Sequence, residues 1–295
     1  MAAFELIPLT DTCGYIDIPA KIGIYRPDGG KDVYLIDSGN DKDAGRKARQ
    51  LLDKNGWTLR GILNTHSHAD HVGGNKYLQA QTGCKVFVGG VEGAVTAHPL
   101  LEPVGLYGGC PHRELRHKFL MAQESEVSPL HDPDFPKEVG IIPLPGHSFD
   151  MVGYRTPDGV AFLADCVSSE ATLGKYGIGY LFDVQATLET LDAIERLEAK
   201  LFVPSHAGVC EDIRPLAQLN RDKVIEAGER ILALCREPVG FDALLARVFE
   251  SYGLPMTVQQ HALIGSTVRS YLSWHKDAGR VEAVIEDNVM RWKAI

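Results

Sequence analysis

The sequence predicts an α+β protein, a four-layer αββα sandwich followed by a small, mainly helical module. Three observations carry that reading. Short strand-like runs open the chain and pass into strand–helix–strand succession. A second set of strands, again followed by helices, begins near Val139. After Ile213-Arg214-Pro215 the pattern changes to long stretches of helical periodicity.

Residues 4–8, 21–25 and 31–36 read as a meander of short strands with Gly and Asp turns. Residues 42–54 carry leucines and charges at helical spacing and stop near Asn55-Gly56. A buried strand over 59–64, a helix over 72–81 and a strand over 85–88 form a crossover unit. Periodicity degrades over 99–137, an irregular insertion whose apolar and aromatic content suits a wall or lid, or a surface excursion. Strands return over 139–144, 151–156 and 160–164. Residues 168–182, rich in Gly and aromatics, read as a loop, 184–197 as a helix and 201–203 as a strand. Helices over 216–235, 241–252 and 257–274 follow, then strand, Asp-Asn turn and strand over 279–292. The expected division is 1–212 and 213–295.

At 295 residues, with 44% hydrophobic and 23% charged, the chain has the composition of a soluble globular protein. A net charge of −9 disfavours general affinity for nucleic acid or anionic membrane. No apolar run approaches the ~20 residues of a membrane span, and the start lacks a basic, then apolar, leader pattern. Cysteines at 13, 84, 110, 166, 210 and 235 show no C-x-x-C spacing and read as reduced thiols. A cytoplasmic enzyme is the expectation.

Residues 64–75 read Asn-Thr-His-Ser-His-Ala-Asp-His-Val-Gly-Gly-Asn, with His66, His68, Asp70 and His71 inside six residues. Leaving a strand, His66 and His68 share a side, and a turn carries Asp70 and His71 toward a neighbouring point. Such a density of imidazole and carboxylate attracts divalent metal. His147, Asp165 and His206 each end a strand-like run, where folds of this class collect site residues.

His66-X-His68-X-Asp70-His71, His147, Asp165 and His206 together resemble the complete ligand set of the metallo-β-lactamase-fold hydrolases. The resemblance implies that His66, His68 and His147 hold one metal, that Asp70, His71 and His206 hold a second, and that Asp165 bridges them. Asp37-Ser38-Gly39, after Val33-Tyr34-Leu35-Ile36, resembles the family's early Asp-Thr/Ser-Gly, whose carboxylate supports the metal loop from behind. It further implies two divalent ions, zinc by donor chemistry with iron or manganese as alternatives. These would activate a shared water as hydroxide, oriented by Asp70, with no Ser or Cys nucleophile required.

A small ester, thioester or lactone is the implied substrate. The Asp165–His206 spacing is similar to the glyoxalase II group, which acts on thioesters, although that group's basic glutathione-binding pattern is not visible in the tail. A nuclease or phosphodiesterase resembling the RNase Z-like enzymes is the alternative. A mononuclear-iron oxygenase resembling the persulfide dioxygenases is disfavoured, because Cys166-Val167-Ser168-Ser169 replaces that group's Gly-Arg-Thr-Asp-Phe-like run. The tail resembles the winged-helix module of some superfamily members. Its balanced charge suits packing or homodimerisation better than DNA reading.

Several residues carry two readings each. Cys110, His112 and His117 are too irregularly spaced for a third metal site; the histidines suit proton donation or substrate contact. Arg113, Arg116 and Lys118 form either an anion clamp or a solvated face. Tyr176 and Tyr180 are packed aromatics or donors to a developing oxyanion, as a tyrosine serves in the lactonase branch. His261 and His275 read as structural.

Overall fold

A computed structural model describes residues 4–295. Its first sheet takes six strands in sequence order: β1 (Glu5–Pro8), β2 (Cys13–Asp17), β3 (Ile22–Tyr25), β4 (Asp32–Ile36), β5 (Thr58–Leu63) and β6 (Lys85–Phe87). The first four form an antiparallel meander, whereas β4, β5 and β6 run parallel and need crossovers. Helix α1 (Lys42–Lys54) makes the first crossover, capped by Asp41, whose carboxylate accepts from Ala44 N–H at 3.0 Å. Helices α2 (Ala69–Val72) and α3 (Asn75–Thr82) make the second.

The single helix expected over 72–81 is therefore two, broken at Gly73-Gly74. The break has a steric cause: a Cβ at Gly74 would collide with the Ser38 carbonyl. Close approach there brings the metal-loop helix against the end of β4.

Period-two alternation separates the two faces of β4. Val33 and Leu35 enter the core beneath α1 and α3, with Ala48, Leu52 and Leu78. Tyr34 and Ile36 face the second sheet, in a core with Leu63, Phe87, Tyr154 and Phe162.

Helix α4 (Gly90–Ala97) follows β6, and α5 (Leu101–Tyr107) lies within 99–137, a part of that stretch more ordered than its periodicity suggests. The second sheet comprises β7 (Gly140–Pro143), β8 (Val152–Arg155), β9 (Val160–Ser168) and β10 (Leu201–His206), in the order β10-β9-β8-β7. Val160 and Phe162 of β9 face the first sheet. Ala161 and Leu163 face outward, onto helices α7 (Val184–Glu195) and α8 (Arg214–Leu234). Helix, sheet, sheet and helix complete the four layers. Between β9 and α7, helix α6 (Glu170–Tyr176) occupies part of the stretch read as a loop. Ser169 caps it and Gly177 ends it at φ 67°.

The helical C-terminal module is present. After α8 come α9 (Phe241–Tyr252), α10 (Val258–Asp277) and a hairpin of β11 (Val281–Glu286) and β12 (Val289–Ala294). Asp287 and Asn288 both take positive φ in its two-residue turn, the geometry that matches strand twist. Val239, between α8 and α9, bridges antiparallel to Trp292 and ties the hairpin to the helices. The core here joins Ile231, Leu244, Val268 and Leu272 to Ile178 and Val184 from before the boundary. Among the described residues, no helix is long and apolar enough to cross a membrane.

Candidate metal centre

The donors come from the same end of both sheets. His66 and His68 follow β5, Asp70 and His71 lie in α2, and His147 sits between β7 and β8. Asp165 belongs to β9, and His206 ends β10. Seven side chains thereby fall into two groups whose donor atoms lie within 4.8 Å of one another. In the first, His68 Nδ1 stands 3.0 Å from His66 Nε2 and 3.0 Å from His147 Nε2. The second gathers Asp70, His71, Asp165 and His206. There Asp165 Oδ1 lies 3.1 Å from His71 Nε2, and its Oδ2 lies 3.1 Å from His206 Nε2. The same Oδ2 is 3.6 Å from His147 Nε2, so this carboxylate stands between the groups.

Backbone irregularity delivers Asp165. Register between β9 and β10 slips at Val203/Pro204, and Ala164 takes φ 50°, which interrupts the alternation. Leu163 and Ala164 both pack on the helix side, and Asp165 enters the donor cluster.

Buried acceptors aim the histidines. Asp37, itself at φ 63°, accepts from Thr65 N–H and Thr65 Oγ1, both at 2.8 Å, and from Asn64 Nδ2 at 3.3 Å. His71 Nδ1–H donates at 2.7 Å to Asp37 Oδ2, the oxygen that also accepts from Thr65 Oγ1. Thr65 has spent its proton on Asp37, so at 2.9 Å it accepts from His66 Nδ1. His206 Nδ1–H donates to the Pro19 carbonyl at 2.8 Å. His66, His71 and His206 thus turn Nε2 lone pairs into the site, the arrangement metal ligation requires.

Glu92 does comparable work for the backbone. Buried in α4, it accepts from Ser67 N–H at 2.9 Å, Ser67 Oγ at 2.6 Å, Ser148 Oγ at 2.6 Å and Asp150 N–H at 3.1 Å. One carboxylate thereby joins the His66–His68 loop to the His147 loop. Sequence reading missed it. The available signal was a lone acid in the otherwise apolar and small run Gly90–Ala97.

This donor set fits divalent cations. Nitrogens around a tetrahedral zinc stand about 3.3 Å apart at ordinary Zn–N lengths, close to the spacing of the first group. Buried His71 Nε2 and Asp165 Oδ1 face each other at 3.1 Å without an aligned hydrogen bond and with no third partner, an expensive arrangement unless a cation completes it. Burial lowers His66 well below the usual imidazole range and takes His68 and His147 to about 4, so these three are neutral ligands at pH 7. In the second group Asp165 raises His206 to about 10. Burial opposes the same rise at His71, but Asp165, Asp70 and Asp37 outweigh it. The second group calls for positive charge.

A sequence profile described as the metallo-beta-lactamase superfamily matches residues 19–206. The chain belongs to that superfamily. It is 32% identical over 199 residues to a hydroxyacylglutathione hydrolase of Methylococcus capsulatus, an alignment covering 64% of each protein. Against the protein of that name from Maricaulis maris it is 29% identical over 180 residues, covering 59% of this chain and 53% of the other. The chain therefore spans about half to two thirds of the length of these curated relatives. A beta-lactamase domain protein from Burkholderia ambifaria superposes with a TM-score of 0.74 at 16% identity, covering 100% of this chain and 94% of that one. That likeness is one of fold, and it includes the C-terminal helices.

Around the superfamily site, Tyr180 sets its ring against His68 and His147, at centroid distances of 5.3 and 5.7 Å. Burial, then Glu102 and Glu92, raises its hydroxyl pKa, so it remains a proton donor. Tyr176 is exposed and lies beside Lys175 instead. Cys110, His112 and His117 join neither donor group: His112 packs on Tyr107 and His117 on Phe119. Of the basic run, Arg116 donates to the Pro111 carbonyl and Lys118 pairs with Asp41 at 3.0 Å. His275 is buried and donates to the Gly228 carbonyl, whereas His261 is exposed beside Asp242.

Proposed function

We propose that this superfamily member is a metal-dependent hydrolase of a small ester, thioester or lactone, with thioesters favoured. The observation that carries the reading is the pair of donor groups joined through Asp165, in which buried His71 Nε2 and Asp165 Oδ1 face each other at 3.1 Å with no third partner. His66, His68 and His147 would hold one ion, Asp70, His71 and His206 the other, with Asp165 between, and zinc suits this nitrogen-and-oxygen set. Two such cations would lower the pKa of a water and polarise an acyl carbonyl. Asp70, with 44% of its side chain exposed, faces the open side of the cluster and would orient the attacking water. Tyr180, protonated and beside His68 and His147, would donate to the carbonyl oxygen as charge develops on it. Water adds across the acyl–sulfur bond: the acyl carbon takes the hydroxyl and the sulfur takes the proton.

The names of the curated relatives support the thioester preference. Phosphodiester cleavage is disfavoured by the net charge of −9 and because, within the run 113–118, Arg116 and Lys118 are engaged by protein groups. We also propose the division into a catalytic domain over 1–212 and a winged-helix-like module over 213–295, the two packed through a shared core. A panel of thioesters, lactones, aryl esters, bis-aryl phosphodiesters and short RNA, assayed with zinc, manganese and iron, tests the activity. Thioester turnover is expected. Salt-sensitive RNA cleavage without acyl turnover would replace this reading with the nuclease one.

A further inference from the structure

The donor cluster opens into a cavity of about 480 Å³ that runs between the two parts of the chain. His147, Asp165 and His206 line it at the metal centre. The remaining wall is chiefly apolar. Leu173, Ile178 and Leu181 come from α6 and the segment after it, Val224 from α8, and Leu263 and Ile264 from α10. A volume of this order holds an organic ligand of moderate size, and walls of this kind reward an apolar one.

The charge on the wall is as informative as its apolarity. Lys223 is the lone Lys or Arg among the lining residues, and its ammonium is held by Glu226 at 2.7 Å. Away from the donor cluster, a polyanion would meet no unpaired Lys or Arg here. Thr172, Thr187, Asn220 and Gln260 add scattered polar atoms without a charged anchor. Asn220 is already engaged, accepting from Ser168 N–H at 2.9 Å and donating to the Ser168 and Leu216 carbonyls.

We propose that this cavity is the acyl subsite of the enzyme, and that it takes an apolar aliphatic chain of medium length. The inference rests on the hydrolase reading and narrows it. With the acyl carbonyl at the donor cluster, the chain extends past Tyr180 between α6, α8 and α10. A small hydroxylated acyl group would leave most of this wall against water. The C-terminal helices therefore select substrate, in addition to completing the fold. Each methylene that enters the wall adds about 0.8 kcal/mol of burial, equivalent to about fourfold in kcat/KM.

The test uses the full-length protein and N-acetylcysteamine thioesters of acetyl, butyryl, octanoyl and dodecanoyl groups. kcat/KM is expected to climb steeply with chain length and level off where the cavity is filled. Val224→Trp and Leu263→Trp, which fill the wall, should cut the octanoyl-to-acetyl ratio by about tenfold or more. Leu263→Gln, a milder change at a half-buried position, should lower the same ratio in the same direction. In parallel, calorimetry of dodecanoate with the full-length protein as purified should show binding with a negative heat-capacity change, weakened by Val224→Trp. Turnover that is flat with chain length overturns the acyl subsite and leaves the hydrolase reading standing. Dodecanoate binding that Val224→Trp weakens, with no thioester turned over, supports an apolar site and overturns the thioester part of the hydrolase reading. Failure of both binding and turnover removes both.

Discussion

Glu92 shows how much of this site depends on side chains that never face the reaction. Its carboxylate meets four donors on two loops, at Ser67, Ser148 and Asp150. Glu92→Gln keeps the shape but turns an NH2 toward donors. Leaving such a buried group mispaired costs about 1–3 kcal/mol. The expected outcome is a Tm lower by several degrees and weaker metal retention, read by thermal unfolding and chelator competition. Unchanged values for both would show that the two loops hold their places without it. Tyr180 acts at the other face. Tyr180→Phe should lower kcat by about tenfold to a hundredfold with KM little altered, as removal of one donor to an oxyanion does. Equal activity would make Tyr180 a packed aromatic only. The seven donors were legible because four are crowded into residues 66–71 and the other three each end a strand-like run. Glu92 was not, since its partners lie 25 and 56 residues away along the chain.

Between elements, the β8–β9 turn is anchored through Asp158, which accepts from Thr12 Oγ1 at 2.6 Å, from Thr156 Oγ1 at 2.5 Å and from the Thr10 hydroxyl. These bonds pin the β1–β2 turn of the first sheet to the second. Burial alone would raise the Asp158 pKa, but the hydroxyl donors outweigh it and the carboxyl is lowered. A folded pKa below the unfolded one means the stabilisation is present at neutral pH. It is lost as pH falls through the ordinary aspartate range and past the folded value. Asp158→Asn should therefore lower Tm at pH 7 and matter much less near about pH 3. An equal loss at both pH values would point to packing instead of charge. Element boundaries were readable where local chemistry dominates, as at Asn55-Gly56 after α1 or the Asp287-Asn288 turn. Helix α6 was hidden because Gly174, Gly177 and Gly179 give 168–182 the composition of a loop, although Ser169 supplies a cap. The Gly73-Gly74 break depends on contact with Ser38, which local sequence does not reveal.

Across the whole molecule, the sandwich and its C-terminal helices share a core, in which Ile178 and Val184 pack with Leu244, Val268 and Leu272. A fragment ending at residue 212 would expose that apolar surface, and it should be recovered as aggregate or unfold at a much lower temperature than the full chain. A soluble fragment with an unchanged Tm would establish independent folding units. The layers were legible because each half of the sandwich runs strands and then helices along the chain. The cavity between the two parts was not legible, since it is assembled from segments that are distant in the chain. All of these features converge on the donor cluster, and its occupancy is the most direct test. Elemental analysis of protein purified without added metal should give two divalent ions per chain, one for each donor group. Asp165→Ala should lose both or bind them far more weakly. A stoichiometry near zero in the native protein, or full metal content in Asp165→Ala, would contradict the account.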